Sequence, residues 1–394
     1  MVNRGHKRCF RRRAAAAAMV AISGTVLIGV AALAIDMGML YNTRTEAQRS
    51  ADAGALAGAW RLVGEERLLG STGATTVASA ARTTASSTAN ANKVFNSNPT
   101  VDTNTGNASD GDILLGRLDH PGNLTEQIQT SVDPTRYNTV SVLVRRDSTR
   151  NGAIPLVFAH VFGLSSKDIS ARGVASVEDK IVGYKVTGRS GNAELMPFAV
   201  NLNAWNALLA GTQTSGDNYR YDPASKTVSA GGDGVNELNI YPGSGSGQLP
   251  PGNFGTVDIG NPNNSTADIS RQIREGVSAS DLAYFGGELK FDDNGEIILE
   301  GDTGLSAAVK DDLASIIGKP RAIPLFTVVS GNGNNSRYTV VAFAGIRIMN
   351  VKLTGSMSKK SLIVQPAVVV DDAAVSGETS NTSYFVYRPP TLVR

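Results

Sequence analysis

Residues Ala14 to Ile35 carry no formal charge, a run of 22 residues set between six cations (Arg4, Lys7, Arg8, Arg11, Arg12, Arg13) and Asp36. As a helix rising 1.5 Å per residue it spans about 33 Å, enough for a bilayer core of roughly 30 Å. The cations predict a cytoplasmic N-terminus and an exported remainder. A cleaved signal peptide competes, because Ala32-Leu33-Ala34 is an A-x-A site. Its apolar stretch, however, exceeds the usual signal core of about 7–15 residues. A prepilin-type site needs glycine followed five residues later by Glu, and no Glu precedes Glu46. An uncleaved single-pass anchor fits segment length and flanking charge best.

The net charge of +2 is concentrated in that basic tail, so the rest of the 394-residue chain carries −4. A nucleic-acid groove is not what this balance suggests, and no nucleic-acid partner is expected. With 41% hydrophobic and 18% charged residues, the body is apolar enough to fold. Cys9 is the single cysteine, so no intramolecular disulfide can form.

Helical character continues past Asp36 to Leu69 without proline. Leu40, Ala47, Ala51, Gly54, Ala55, Gly58 and Leu62 share one face, and most of them are Ala or Gly. Such a stripe lets another backbone approach closely. It packs either on the chain's own domain, the preferred reading, or against another subunit in self-association.

The stretch from Ala34 to Ala59 resembles the N-terminal module of TadE/TadG-like Flp pilus-assembly proteins. The pattern D-x-G-x-x-Y, R-x-x-x-Q, A-D-A-A-A-L-A-G-A is matched by Asp36, Gly38, Tyr41, Arg44, Gln48, Asp52, Ala53, Ala55, Leu56, Ala57, Gly58 and Ala59. Ser50 and Gly54 stand where the family usually has alanine. Leu115-Gly116-Arg117, Ile154-Pro155-Leu156 and Pro251-Gly252-Asn253-Phe254-Gly255 are weaker features of the same group. The resemblance implies a structural part of a pilus-assembly or secretion apparatus in the bacterial inner membrane, with other envelope proteins as partners. Physics gives the motif residues bland roles: Asp36 and Tyr41 at the bilayer exit, Asp52 paired with Arg49 or capping backbone.

The expected fold class is α+β: an anchor helix running into a long helix, then a mainly antiparallel, pilin-like sheet and a second α+β or β-rich region. The expected division is a tail (1–13), an anchor (14–35), a TadE/TadG-like helical and β region (36–190), a Gly/Asn-rich irregular region (191–266) and a C-terminal α+β region (267–394). A second helix is expected over Thr72–Val94 and a polar linker over Asn96–Asp110. Strands are expected at Asp112–Leu118, Tyr137–Arg146 and Ile169–Glu178, with a short apolar helix at Ile154–Phe162. Asn201–Thr266 reads as loops. Ser265–Glu275 reads as a helix, and Glu288–Phe291 with Glu296–Leu299 as a hairpin around Asp293-Asn294-Gly295. A helix starting near Asp302/Thr303 and stopped by Gly318 and Pro320 precedes strands at Ile323–Val329, Arg337–Val351 and Ser361–Val370.

Catalytic chemistry does not assemble. Of the three histidines, His6 lies in the tail, and His160 is expected to pack on its apolar helix. No P-loop, nucleophile-elbow, HExxH or CxxC pattern occurs, and no cofactor is expected. Asp292-Asp-Asn-Gly-Glu296 fits a turn better than an EF-hand. The von Willebrand-type D-x-S-x-S metal motif is absent, since Asp168-Ile-Ser170-Ala-Arg172 and Asp268-Ile-Ser270-Arg-Gln272 fail at the last position. The expected function is a non-enzymatic, membrane-anchored pilus-assembly component; the alternative is a stand-alone envelope adhesin on a Tad-like anchor.

Overall fold

A computed structural model describes residues 6–188, 190–241, 254–261, 265–302, 305–331, 335–378 and 383–393, with the side chains of 6–15, Asp302 and Met357 not described. One unbroken helix, α1 (His6–Leu62), contains both the apolar segment and the motif. Its two halves differ in environment. Met19, Leu27 and Ile28 are about 70% exposed, whereas Ala47, Ala51, Ala55 and Ala59 are at most 1% exposed. The lower half is long and apolar enough to cross a membrane; the upper half is a core element.

The second helix, α2 (Gly70–Ala91), runs antiparallel to the upper half of α1. Together they cover a four-stranded antiparallel sheet of β1 (Ile113–Gly116), β2 (Thr139–Arg146), Ile169–Ser176 and Thr391–Leu392. The expected alternation on β2 holds: Val140, Val142 and Val144 are fully buried and share one core with the alanines of α1 and α2. The polar linker after α2 is fastened by buried Arg82, which donates to the Thr103 and Ile113 carbonyls and to Asn107 Oδ1. The fourth strand was not foreseen: Thr391 pairs with Ser176 and Leu392 with Ala175. The chain therefore leaves this sheet at Ser176 and returns to it more than two hundred residues later.

Between those points lies a second β-rich body. A seven-stranded sheet has the long strand Ser336–Lys352 bonded to Pro320–Ser330, Ile297–Asp302 and Ser361–Pro366. Pro320–Ser330 also pairs, in parallel, with Phe198–Asn201, which pairs through Phe254–Val257 back to Ile297–Asp302. Five strands thus close on themselves, with one parallel contact among antiparallel ones. A three-stranded sheet of Leu289–Lys290, Ile181–Tyr184 and Ala374–Ser376 packs alongside, where Phe343 meets Tyr184 edge-on and stacks with Phe291. The fold is α+β, as expected.

Several local expectations change. Residues 154–162 are no apolar helix: Ile154–Pro155 pairs with Ser166–Lys167, and only Ala159–Phe162 winds, as a 3-10 turn closed by left-handed Gly163. The backbone of this segment is committed elsewhere: residues 154–155 pair with 166–167, and the N–H groups of Val157, Phe158 and Ala159 donate to the Asp36 carboxylate. The stretch 201–266, expected as loops, includes the helix Leu202–Leu209 with buried Trp205, the hairpin Tyr219–Asp222/Thr227–Ala230 and the strands Leu238–Asn239 and Phe254–Val257. Residues 242–253 and 262–264, including Pro251-Gly252-Asn253, lie outside the described residues. The Asp292–Glu296 turn forms, with Asp292 N–H donating to the Glu296 carbonyl. Its flanks join different sheets, Leu289 opposite Tyr184 and Ile297 opposite Val340. The Asp292 carboxylate accepts from Asn294 and Glu296 N–H and so closes the turn without a paired hairpin.

The helix Thr266–Glu275 is capped as read, by Ser265 with Asp268 in a capping box. The later helix starts beyond the expected Asp302/Thr303. Asp302 ends a strand, Thr303 lies outside the described residues, and Ser306 caps the turn Ala307–Val309 that leads into Lys310–Ser315.

Candidate functional site: the motif helix beyond the apolar segment

Asp36 is the first charged residue after the apolar segment, and it is 2% exposed. Its Oδ1 accepts from the Val157 N–H at 3.0 Å; Oδ2 accepts from Phe158 at 2.9 Å and Ala159 at 2.7 Å. These are the free donors of the strand end and first turn of the 3-10 segment, so the carboxylate acts as its cap from across the fold. Desolvation raises the Asp36 carboxyl, but the three N–H groups outweigh it and hold it below the usual carboxylate range. Sequence reasoning placed Asp36 at the bilayer exit and missed this role, because its partners lie over 120 positions away and the pattern there suggested helix.

Further up α1, Gln48 Nε2 donates to Asp52 Oδ1 at 2.7 Å and to the Arg172 carbonyl at 3.0 Å. Asp52 is thus partnered by Gln48, in place of the expected Arg49 or backbone. Gly173 makes the approach possible: a Cβ there would stand 2.7 Å from the Ala51 carbonyl carbon and 2.6 Å from Asp52 Oδ1. Motif glycine Gly58 faces α2 and β2, its virtual Cβ 3.0 Å from both Ala85 Cβ and Val140 Cγ1. The two departures from alanine belong to the same contact. Ser50 Oγ donates to the Ala89 carbonyl at 2.9 Å, and a Cβ on Gly54 would lie 2.9 Å from the Ala85 oxygen.

The small-residue stripe, Ala55 and Ala59 included, is therefore filled by the chain's own α2 and sheet. This is the preferred of the two readings, packing on the chain's own domain, and it occupies the close-approach positions of the stripe. Leu56 packs at the edge of the same core and Ala57 is half-buried. Gly38, Tyr41 and Arg44 are exposed at spacings of three, with Tyr41 77% exposed. The motif thus divides into an inward set that builds the module and an outward set on the helix above the apolar segment.

Elsewhere, a cavity of about 360 Å³ is lined by Asp119, Asn138, Asp179 and Lys180. Its charges are committed to one another: Arg117 binds Asp119 at 2.7 Å and Asp179 at 2.8 Å, and Lys180 stands 3.7 Å from Asp119. The Arg117 hydrogen bond, against an opposing desolvation, holds the Asp119 carboxyl down at about 2. A general acid at neutral pH needs the opposite shift. His160 is exposed on its 3-10 turn instead of packed in a core, and His120 lies 3.7 Å from Glu126. Among the described residues, no group of three His, Cys, Asp or Glu side chains could hold a metal ion.

Two family models match the N-terminal part of the chain. The family model described as Flp pilus-assembly TadE/G-like matches residues 14–61, which are the apolar segment and the motif half of α1. A second, described as Tad-like Flp pilus-assembly, matches residues 57–175, from the end of α1 through the third strand of the sheet. No curated protein and no solved structure matches the chain. Residues 14–175 are thus similar to Flp pilus-assembly proteins of the TadE/G-like and Tad-like families, and this likeness supports a Flp/Tad pilus-related role.

Proposed function

We propose that the protein is a non-enzymatic structural component of a Flp/Tad pilus-assembly or secretion apparatus, anchored once in the cytoplasmic membrane with its body exported. The observation that carries this reading is the continuity of α1. A helix whose uncharged stretch exposes mostly apolar side chains passes without a break into a half locked inside the folded module. An anchor joined this way holds the body at a fixed height, as suits a scaffold part. The six cations ahead of Ala14 support an inward N-terminus. The ion-paired carboxylates around the Asp119 cavity fit binding or structure better than catalysis. The outward motif face at Gly38, Tyr41 and Arg44 is free to meet other assembly proteins.

Protease added to spheroplasts tests the topology: the body should be digested, while protein in untreated membranes resists carbonate extraction. Crosslinking in native membranes, through a photoreactive residue at position 44, should capture Tad assembly proteins. Release of the body by carbonate, or capture of none of these proteins, would sink the reading.

A further inference from the structure

The stretch that Asp36 caps is the tip of a finger. Ile154–Pro155 and Ser166–Lys167 pair as its stem, closed by the Leu156 N–H bond to the Ser165 carbonyl at 2.9 Å. The stem prolongs the β2 and Ile169–Ser176 strands, whose pairing ends at Arg146–Ile169. Those strands lie along α1, with Gly173 beside Ala51, and the finger continues down the helix until its tip reaches Asp36. We propose that this tip, residues 156–164, is a second bilayer contact: it lays its apolar side chains into the headgroup–acyl boundary of the leaflet from which α1 emerges. The proposal rests on the reading of α1 as a membrane anchor.

Four side chains within eight residues carry the argument. Val157, Val161, Phe162 and Leu164 are 64%, 84%, 73% and 60% exposed. Single surface hydrophobics are ordinary, but a rigid tip with this many is a contact surface. The tip has a defined shape, since the Leu164 N–H returns to the buried Ala159 carbonyl. Position selects lipid as the occupant. The tip is bonded to the residue just past the apolar segment, so one helical rise of about 1.5 Å separates Asp36 from Ile35. Ile35 and Met37, 58% and 60% exposed, continue the apolar band of α1 past this point. Charge agrees: residues 154–167 contain no Asp or Glu, while His160 and Lys167 are exposed, as suits anionic headgroups. Asp36 meanwhile satisfies the three backbone donors that would otherwise resist entry into an apolar boundary.

The test uses the full chain with Cys9→Ser, reconstituted one copy per nanodisc of phosphatidylcholine and phosphatidylglycerol. An environment-sensitive dye is placed by Val161→Cys on the tip, by Leu27→Cys in the apolar segment, or by Thr83→Cys on the exposed side of α2. Lipids bearing a nitroxide near the headgroup should quench the dye at 161 several-fold more than at 83, with blue-shifted emission. A dye at 161 that behaves like 83 while 27 is shielded by lipid overturns the proposal and leaves the anchor reading standing. If 27 is also solvent-like, the anchor reading falls and takes the proposal with it. Shielding at 161 that appears only in discs holding two copies assigns the tip to a protein contact and likewise overturns it.

Discussion

Arg347 reaches Glu65 across 282 positions of sequence, Nη2 to Oε1 at 2.6 Å, and ties the central strand of the β-rich body to the turn that follows α1. The guanidinium is 1% exposed, donates through Nε to the Gly318 carbonyl and lies 3.4 Å above the Tyr221 ring. Glu65→Ala should strand this buried cation and cost about 2 kcal/mol, less than a fully buried pair because Glu65 keeps some solvent contact. Urea denaturation of the detergent-solubilised protein reads the loss. Adding Arg347→Met should cost clearly less than the sum of the two single changes. Strict additivity would show that the two residues are not coupled.

Size at the close-approach glycines should separate by position. Gly58→Ala places its methyl 3.0 Å from Ala85 Cβ and Val140 Cγ1 and 3.2 Å from the Ala81 carbonyl oxygen, and the gain of about 1 kcal/mol in helix propensity offsets part of that crowding, so the net cost should stay under about 1 kcal/mol. Gly58→Leu cannot fit and should cost about 3 kcal/mol or abolish folding. Gly173→Ala meets backbone, which cannot yield like a side chain, and should cost about 2 kcal/mol despite adding one methyl. Arg61→Leu removes only a half-exposed ion pair with Glu66 and should change stability by under about 1 kcal/mol. Thermal melts in one detergent give the ranking, and a Gly173→Ala protein as stable as wild type would contradict it.

Removing the Asp36 cap should act locally. Asp36→Ala leaves the N–H groups of 157–159 without their acceptor, and hydrogen exchange at these amides should accelerate at least tenfold, while α2 stays protected. Asp36→Asn keeps one acceptor oxygen and should fall between. Unchanged exchange in Asp36→Ala would mean that the finger is held by something else.

Stability should fall as pH rises through the range of one buried carboxyl. Burial pushes Asp371 up to about 6; the Ala373 N–H bond and Arg321 oppose this, and Asp372 adds to it. Its folded value lies above the unfolded one, so its stabilising contribution is complete below about pH 4 and is lost on passing about pH 6. The loss is on the order of 3 kcal/mol. Asp371→Asn should flatten the difference between unfolding midpoints measured near pH 5 and near pH 8. A difference as steep as wild type would assign the pH dependence to another group.

The apolar half of α1, its small-residue face, the Ala-rich α2 and the alternating β2 were legible because each rests on a local pattern of residue types. The capped helix after Ser265 was legible from its cap and its closing glycine. What escaped depends on partners far away in sequence. Nothing near Asp36 announces acceptance from 157–159, and nothing near Thr391 announces pairing with Ser176. Glycine- and asparagine-rich spacing between 201 and 266 looked structureless because its short strands find their partners elsewhere, Leu238–Asn239 on Ser361–Pro366 for instance. The outward motif face could be located by spacing alone; which molecule meets it is not written in its residue types.

The strand Thr391–Leu392 gives the fold an order in time. A chain made from its N-terminus onward can assemble α1, α2 and three strands early, yet the Ile169–Ser176 edge waits for residues more than two hundred positions later. During that interval the edge presents free N–H and C=O groups to any extended segment nearby, including the same strand of a second newly made copy. The β-rich body is in effect a long excursion between two neighbouring rungs of one ladder, and its own folding brings the last strand within reach. Any delay in that body therefore keeps open a seam beside α1, which makes Thr391–Leu392 the latch of this sheet.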